Sequence, residues 1–203
     1  RHRRQGGAAA PAGAAGGVRY IPFLGHDHAK EYLLDLASRI EDPSRILAGG
    51  FVYLSDILGN PQDLRRIGEL LATKYAYSNI DAVMTVETKG IALAQSVARY
   101  LNVPFVTARK RSKVTEGATV SVNYISSSLD RVSKMELPTR ALKKNSNVLI
   151  VDDFMKGGGT LTGMEELVKE FDCSIAGICV LCEADFDKSK LVDNYISLIK
   201  ISQ

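Results

Sequence analysis

Apolar residues recur along this chain in two rhythms. From 27 to 41 they fall at Ala29, Leu33, Leu36, Ala37 and Ile40, the three- and four-residue spacing that gathers them on one stripe of an amphipathic helix. Further on they come as short, largely apolar runs at 81–86, 104–108, 148–151, 175–181 and 195–201. A run without polar alternation is how a strand reads when helices cover both of its faces, as in a parallel sheet. Helical stretches separate several of these runs. Asn60 and Pro61 supply a cap and a first turn for a helix expected to reach about residue 77, a second helix is expected over 91–101, and a third opens near 160–163. Residues 113–128 alternate small and apolar side chains. Strands and helices in this order predict an α/β fold on a parallel, Rossmann-like sheet.

The first seventeen residues follow neither rhythm. RHRRQGGAAAPAGAAGG is low in complexity, and it divides the chain into a linker, 1–17, and one domain, 18–203, of a size that can enclose a core. With Arg1 in place of an initiator methionine, the chain is expected to be a piece of a longer protein. The basic head also accounts for the net charge of +3, because the 26 basic residues less Arg1, Arg3 and Arg4 equal the 23 acids. A charge-balanced domain does not grip DNA over a broad face, so nucleic-acid contact is expected near the N-terminus or outside this sequence. There is no apolar run of about 18 residues and no signal-peptide pattern, which leads to the expectation of a soluble, cytoplasmic protein without a membrane partner.

Cysteine and histidine add little chemistry. Cys179 and Cys182 form a C-x-x-C, but within a strand residues three apart face opposite ways, so buried reduced thiols are expected and a shared metal is not. His2, His26 and His28 all precede the core and offer no general base. No catalytic triad and no metal cluster is legible.

The chemistry gathers at 148–160, VLIVDDFMKGGGT. A buried strand ends in Asp152 and Asp153, and Gly157, Gly158 and Gly159 lead through Thr160 into a helix. In open α/β sheets ligands bind outside the carboxyl ends of strands. Glycines let backbone N–H groups close around a phosphate, the hydroxyls of Thr160 and Thr162 can donate to it, and a helix N-terminus favours its charge. Two ionised carboxylates accept from two neighbouring hydroxyls, as a ribose presents them. The plain alternative is a βα turn with capping acids and permissive glycines. A second strand ends in Glu87, Thr88, Lys89 and Gly90 before a helix, again an arrangement with donors for an anion. After 104–108 come Arg109, Lys110, Arg111 and Lys113. Near two anion loops these cations are expected to converge on phosphates, at roughly 1.5–3 kcal/mol per charge-assisted contact. The residues themselves therefore describe a site for a ribose carrying phosphates at both ends. Phe51 and Tyr53 read equally well as core aromatics or as ligand contacts.

The strand, acid pair and small-residue loop at 148–160 resemble the phosphoribosyl pyrophosphate (PRPP) loop of type I phosphoribosyltransferases. Phe154, Lys156 and Gly157 depart from the enzymes' pattern, and DDFMKGGGT is instead similar to the effector domain of the Gram-positive purine operon repressors. GGFVYLSDILGNP at 49–61 and PAGAAGGVRYIP at 11–22 resemble the same family, the latter matching the segment that closes a winged-helix wing and enters the effector domain. The resemblance spans about 13–203 and makes 113–128, with a returning strand at 132–135, similar to the family's flexible-loop hairpin. It implies a type I phosphoribosyltransferase fold without catalysis, PRPP with Mg²⁺ as inducer, a homodimer, and operator DNA read by an N-terminal winged-helix domain absent from this sequence. With Phe51 and Phe154 able to flank a purine ring, guanosine tetraphosphate competing at the same site is a further expectation. An active purine phosphoribosyltransferase is the alternative, and an RNA-binding regulator on the same fold is a third reading.

Overall fold

The computed structural model describes residues 8–9, 19–20, 25–110, 117–126, 131–184 and 190–202. In chain order the elements are β1 (Ala8–Ala9), β2 (Arg19–Tyr20), α1 (His26–Ile40), β3 (Ile46–Leu47), β4 (Phe51–Val52), α2 (Ser55–Gly59), α3 (Pro61–Lys74), β5 (Ala82–Val86), α4 (Gly90–Leu101), β6 (Phe105–Ala108), β7 (Thr119–Ser126), β8 (Arg131–Pro138), β9 (Asn147–Met155), α5 (Gly159–Glu170), β10 (Ser174–Ala184) and β11 (Tyr195–Ile201). Among the described residues no helix is long and apolar enough to cross a membrane.

Five strands pair in parallel in the order β11-β10-β9-β5-β6. Chain order runs outward in both directions from the neighbours β5 and β9, which makes their boundary the switch point of the sheet. The burial pattern explains the unbroken apolar runs. Val83, Leu149 and Val151 pack with α1, α3 and α4 on one face, whereas Ala82, Met84, Val148 and Ile150 pack with α5 and the β7–β8 hairpin on the other. Each strand residue thus enters one of two cores, and polar alternation has no place.

The structure corrects two boundaries. β9 does not stop at Val151 but continues through both aspartates to Met155, because β10 keeps pairing with it as far as Glu183. On its other side β9 pairs with β5 only as far as Ile150, which leaves that edge of Asp152 and Asp153 open. The helix capped by Asn60 ends at Lys74 instead of residue 77. Its cap is as expected, with the Asn60 side chain accepting from Gln62 N at 2.9 Å and Asp63 N at 3.2 Å. Tyr75 leaves the helix to wedge under β10, its hydroxyl donating to the Ile178 carbonyl at 3.2 Å, where a Cβ on Gly177 would come within 2.4 Å of the ring.

Three small hairpins complete the fold. β1, in the segment read as a linker, pairs antiparallel with β2 just after that segment. β3 and β4 pair around a turn in which Gly49 and Gly50 take φ of 76° and 73°, the left-handed region that glycine enters freely. β7 and β8 pair along their full length and join the open edge of the sheet through reciprocal bonds between Arg109 and Glu136, at 2.8 and 2.7 Å.

Candidate functional site

A cleft of about 620 Å³ opens at the carboxyl ends of β5 and β9, under the β3–β4 hairpin. Asp152 and Asp153 form its floor, Thr88, Lys89 and Gly90 one wall, and Gly158 and Thr160 another, while Lys110 enters from beyond β6. Phe51, Phe154 and Lys156 close one side. The switch point of the sheet produces this convergence, since α4 and α5 both start there on opposite faces.

Of the acid pair, Asp152 is buried and Asp153 half-buried. Asp152 is 5% exposed, and one of its oxygens accepts the Asp153 backbone N–H at 3.0 Å. Among the described residues no ion pair holds either carboxylate. Burial, with the Asp153 charge adding to it, pushes Asp152 well above the ordinary carboxylate range. Burial raises Asp153 as well, against the opposing pull of the Asp152 hydrogen bond and the Lys89 charge. Two carboxylates largely kept from water, with Lys89 and Lys110 near enough to act on them but not ion-paired to them, suit hydroxyl donors or a cation brought by a ligand.

The loop after β5 lies against this pair. A Cβ on Gly90 would come within 2.3 Å of Thr85 Oγ1 and 2.9 Å of Asp152 Oδ1, so only glycine lets α4 begin so close to the acids. The Thr85 hydroxyl beneath them is buried and finds no hydrogen-bond partner among the described residues. The Glu87–Thr88 peptide is cis. Glu87 ties this loop to the end of β6, since its Oε1 accepts from Lys110 N at 2.7 Å. Arg109 turns to the same residue, 4.0 Å from Glu87 Oε2, and does not border the cleft. Of the cations expected to converge, Lys110 alone among the described residues after β6 reaches the cleft wall; Arg111 and Lys113 lie outside the described residues.

The glycine loop is built for one conformation. Gly158 takes φ of +84° as it turns β9 into α5, and a Cβ there would meet Val192 Cγ2 at 3.2 Å. The Gly157 carbonyl accepts from Leu191 N at 3.0 Å, and Gly159 is the first helical residue; neither glycine borders the cleft. Thr160 does, but the Thr162 hydroxyl turns back to the Gly158 carbonyl at 3.2 Å and is spent on the helix start.

The aromatic pair differs from the expected slot. The rings of Phe51 and Phe154 have centroids 6.0 Å apart and planes inclined at 54°, a contact with each other instead of a parallel gap for a base. Lys156 lies over the Phe51 ring at 5.5 Å and donates to the Gly49 carbonyl at 2.7 Å, stitching the β3–β4 hairpin to the phosphate loop. Leu47, Ala48 and Val52 of that hairpin also border the cleft, a contribution that the Gly49–Gly50 turn marks only as a hairpin. Among the described residues no cluster of His, Cys, Asp and Glu could hold a metal by itself. Cys179 and Cys182 are buried free thiols, and burial pushes Cys182 up to about 12.

Known proteins place this geometry in a lineage. The model of the phosphoribosyl transferase domain matches residues 54–202. The chain is 53% identical over 190 residues to the purine biosynthesis transcriptional repressor PurR of Bacillus subtilis, covering 94% of this chain and 67% of that protein. It is 50% identical over 191 residues to the purine biosynthesis transcriptional activator PurR of Lactococcus lactis, covering 94% and 70%. Among solved structures, the adenine phosphoribosyltransferase (APRTase) of Giardia lamblia superposes with a TM-score of 0.72 at 26% identity, covering 84% of this chain and 98% of that one. The chain belongs to the phosphoribosyl transferase domain family, within the branch formed by the purine biosynthesis transcriptional regulators.

Proposed function

We propose that this chain is the effector-sensing domain of a repressor of purine biosynthesis genes, and that the effector is PRPP carried with Mg²⁺. One observation carries the ligand assignment: two carboxylates that no ion pair holds among the described residues lie between two loops that each open a helix. In this reading Asp152 and Asp153 accept the ribose hydroxyls, and the loop 157–160 takes the 5′-phosphate at the positive end of α5. Thr88, Lys89, Gly90 and Lys110 take the pyrophosphate, whose charge Mg²⁺ shares. Transfer to a base requires open space at the anomeric carbon. The mutual contacts of Phe51, Phe154 and Lys156 beside the acids favour binding without transfer. The same aromatic side is the place for guanosine tetraphosphate to compete, provided the two rings part.

Regulation follows from linkage. PRPP shifts DNA affinity only if it binds the free and operator-bound forms differently, and the effect is then reciprocal. We place operator contact in a winged-helix segment N-terminal to this chain, in a cytoplasmic homodimer that presents two such segments to the DNA. The test is a gel-shift titration at fixed salt, using a protein of the relatives' full length beside this chain. PRPP with Mg²⁺ should weaken operator binding by the longer protein, and this chain should bind PRPP but not the operator. Tighter operator binding with PRPP would turn the repressor reading into an activator one. Pyrophosphate release from PRPP with a free purine would replace both with a transferase.

A further inference from the structure

One buried carboxylate anchors the segment that lies behind the glycine loop. Glu183 is 0% exposed near the end of β10, in register with Met155, the last residue of β9. Lys190 Nζ reaches its Oε2 at 2.5 Å, the Tyr195 hydroxyl donates to the same oxygen, and Lys200 Nζ lies 2.8 Å from Oε1. The two residues after Lys190 touch the phosphate loop. Leu191 donates its N–H to the Gly157 carbonyl at 3.0 Å, and buried Val192 stands against Gly158. Neither Glu183 nor Lys190 borders the cleft.

We propose that Glu183 and Lys190 are positioning residues for the phosphate loop, their ion pair holding residues 190–192 against Gly157 and Gly158 so that the loop is set to accept a 5′-phosphate. The inference rests on reading the cleft as a phosphoribose site. Three successive glycines lose more conformational freedom on ordering than any other tripeptide, so a loop built from them gains most from support in place before the ligand arrives. A buried ion pair is poorly suited to adding net stability and well suited to fixing geometry. Although burial works against its charge, the bonds from Lys190, Lys200 and Tyr195 hold Glu183 below the usual carboxylate range, so the anchor stays ionised at neutral pH.

The test is calorimetry on the 203-residue chain with Lys190→Met, which leaves Glu183 paired with Tyr195 and Lys200. Affinity for ribose 5-phosphate should fall about tenfold, the factor that equals about 1.4 kcal/mol, while affinity for Mg²⁺–pyrophosphate stays as in the wild type. Lys190→Arg should restore most of the loss. Without ligand, amide exchange at Leu191 should speed up in Lys190→Met. An equal loss for both ligands would mean general loosening and overturn the proposal, as would slow exchange at Leu191. Unchanged ribose 5-phosphate affinity in Lys190→Met overturns the brace and leaves the site reading standing. A wild-type chain that binds no ribose 5-phosphate overturns both.

Discussion

Two buried carboxylates sit on neighbouring strands and behave in opposite ways. Glu183 on β10 meets three donors and is held below the ordinary carboxylate range against its burial. Asp152 on β9 meets one backbone N–H and a second acid, and is held well above that range. Burial is common to both, so the difference lies in the partners. A carboxylate given its counter-charges by the fold belongs to the scaffold, and one denied them has a partner still to come.

The largest test of this contrast is Glu183→Ala, which takes the carboxylate away from Lys190, whose side chain is largely enclosed, and from the exposed Lys200. Breaking a buried pair in this way should lower the unfolding free energy by roughly 3–5 kcal/mol, read as a shift of the urea midpoint at constant slope. Asp153→Ala should do the reverse, leaving the midpoint where it is while PRPP–Mg²⁺ affinity drops at least about tenfold, or about 1.4 kcal/mol. Loss of stability with intact affinity would exchange the two roles.

Asp152→Asn sharpens the contrast with pH. Folded Asp152 keeps its proton to higher pH than it does in the unfolded chain. The native state therefore binds more protons, and its stability falls as pH rises from the unfolded carboxylate value, about 3.9, through the folded one. Asparagine cannot titrate. The variant should match the wild type near pH 3 and exceed it at pH 8 by roughly 0.5–2 kcal/mol, the range for relieving strain kept for function, while losing PRPP binding. Thermal melts at the two pH values decide it; a variant less stable than the wild type at pH 8 would mean that Asp152 has a partner in the fold after all. The smallest expected effect is at the aromatic side. Phe154→Ala should weaken guanosine tetraphosphate by roughly 0.5–1.5 kcal/mol and leave PRPP unchanged, measured by competition calorimetry; equal effects on both would return Phe154 to the core.

Local signals carried far into this molecule. The order of strand, acids, glycines and threonine located the floor and one wall of the cleft, and Asn60 with Pro61 located a helix start, because each depends on neighbours a few residues away. What escaped depends on distant partners. The end of β9 is set by β10, and the end of α3 by the gap that Gly177 leaves for Tyr75. Arg109, expected among the phosphate cations, lies 4.0 Å from Glu87 at the end of another strand and outside the cleft lining. Glu183 carried no mark at all, since its donors lie at 190, 195 and 200 and nothing in their spacing joins them.

Lys200 also has a second consequence. It lies on β11, the outermost strand on one side of the parallel sheet, and its side chain is 63% exposed even while paired with Glu183. The opposite margin is taken up where β8 meets Arg109 just beyond β6. A lysine on an edge strand works against edge-to-edge pairing with another chain. The exposed charge thus disfavours polymerisation of copies of this domain along that strand.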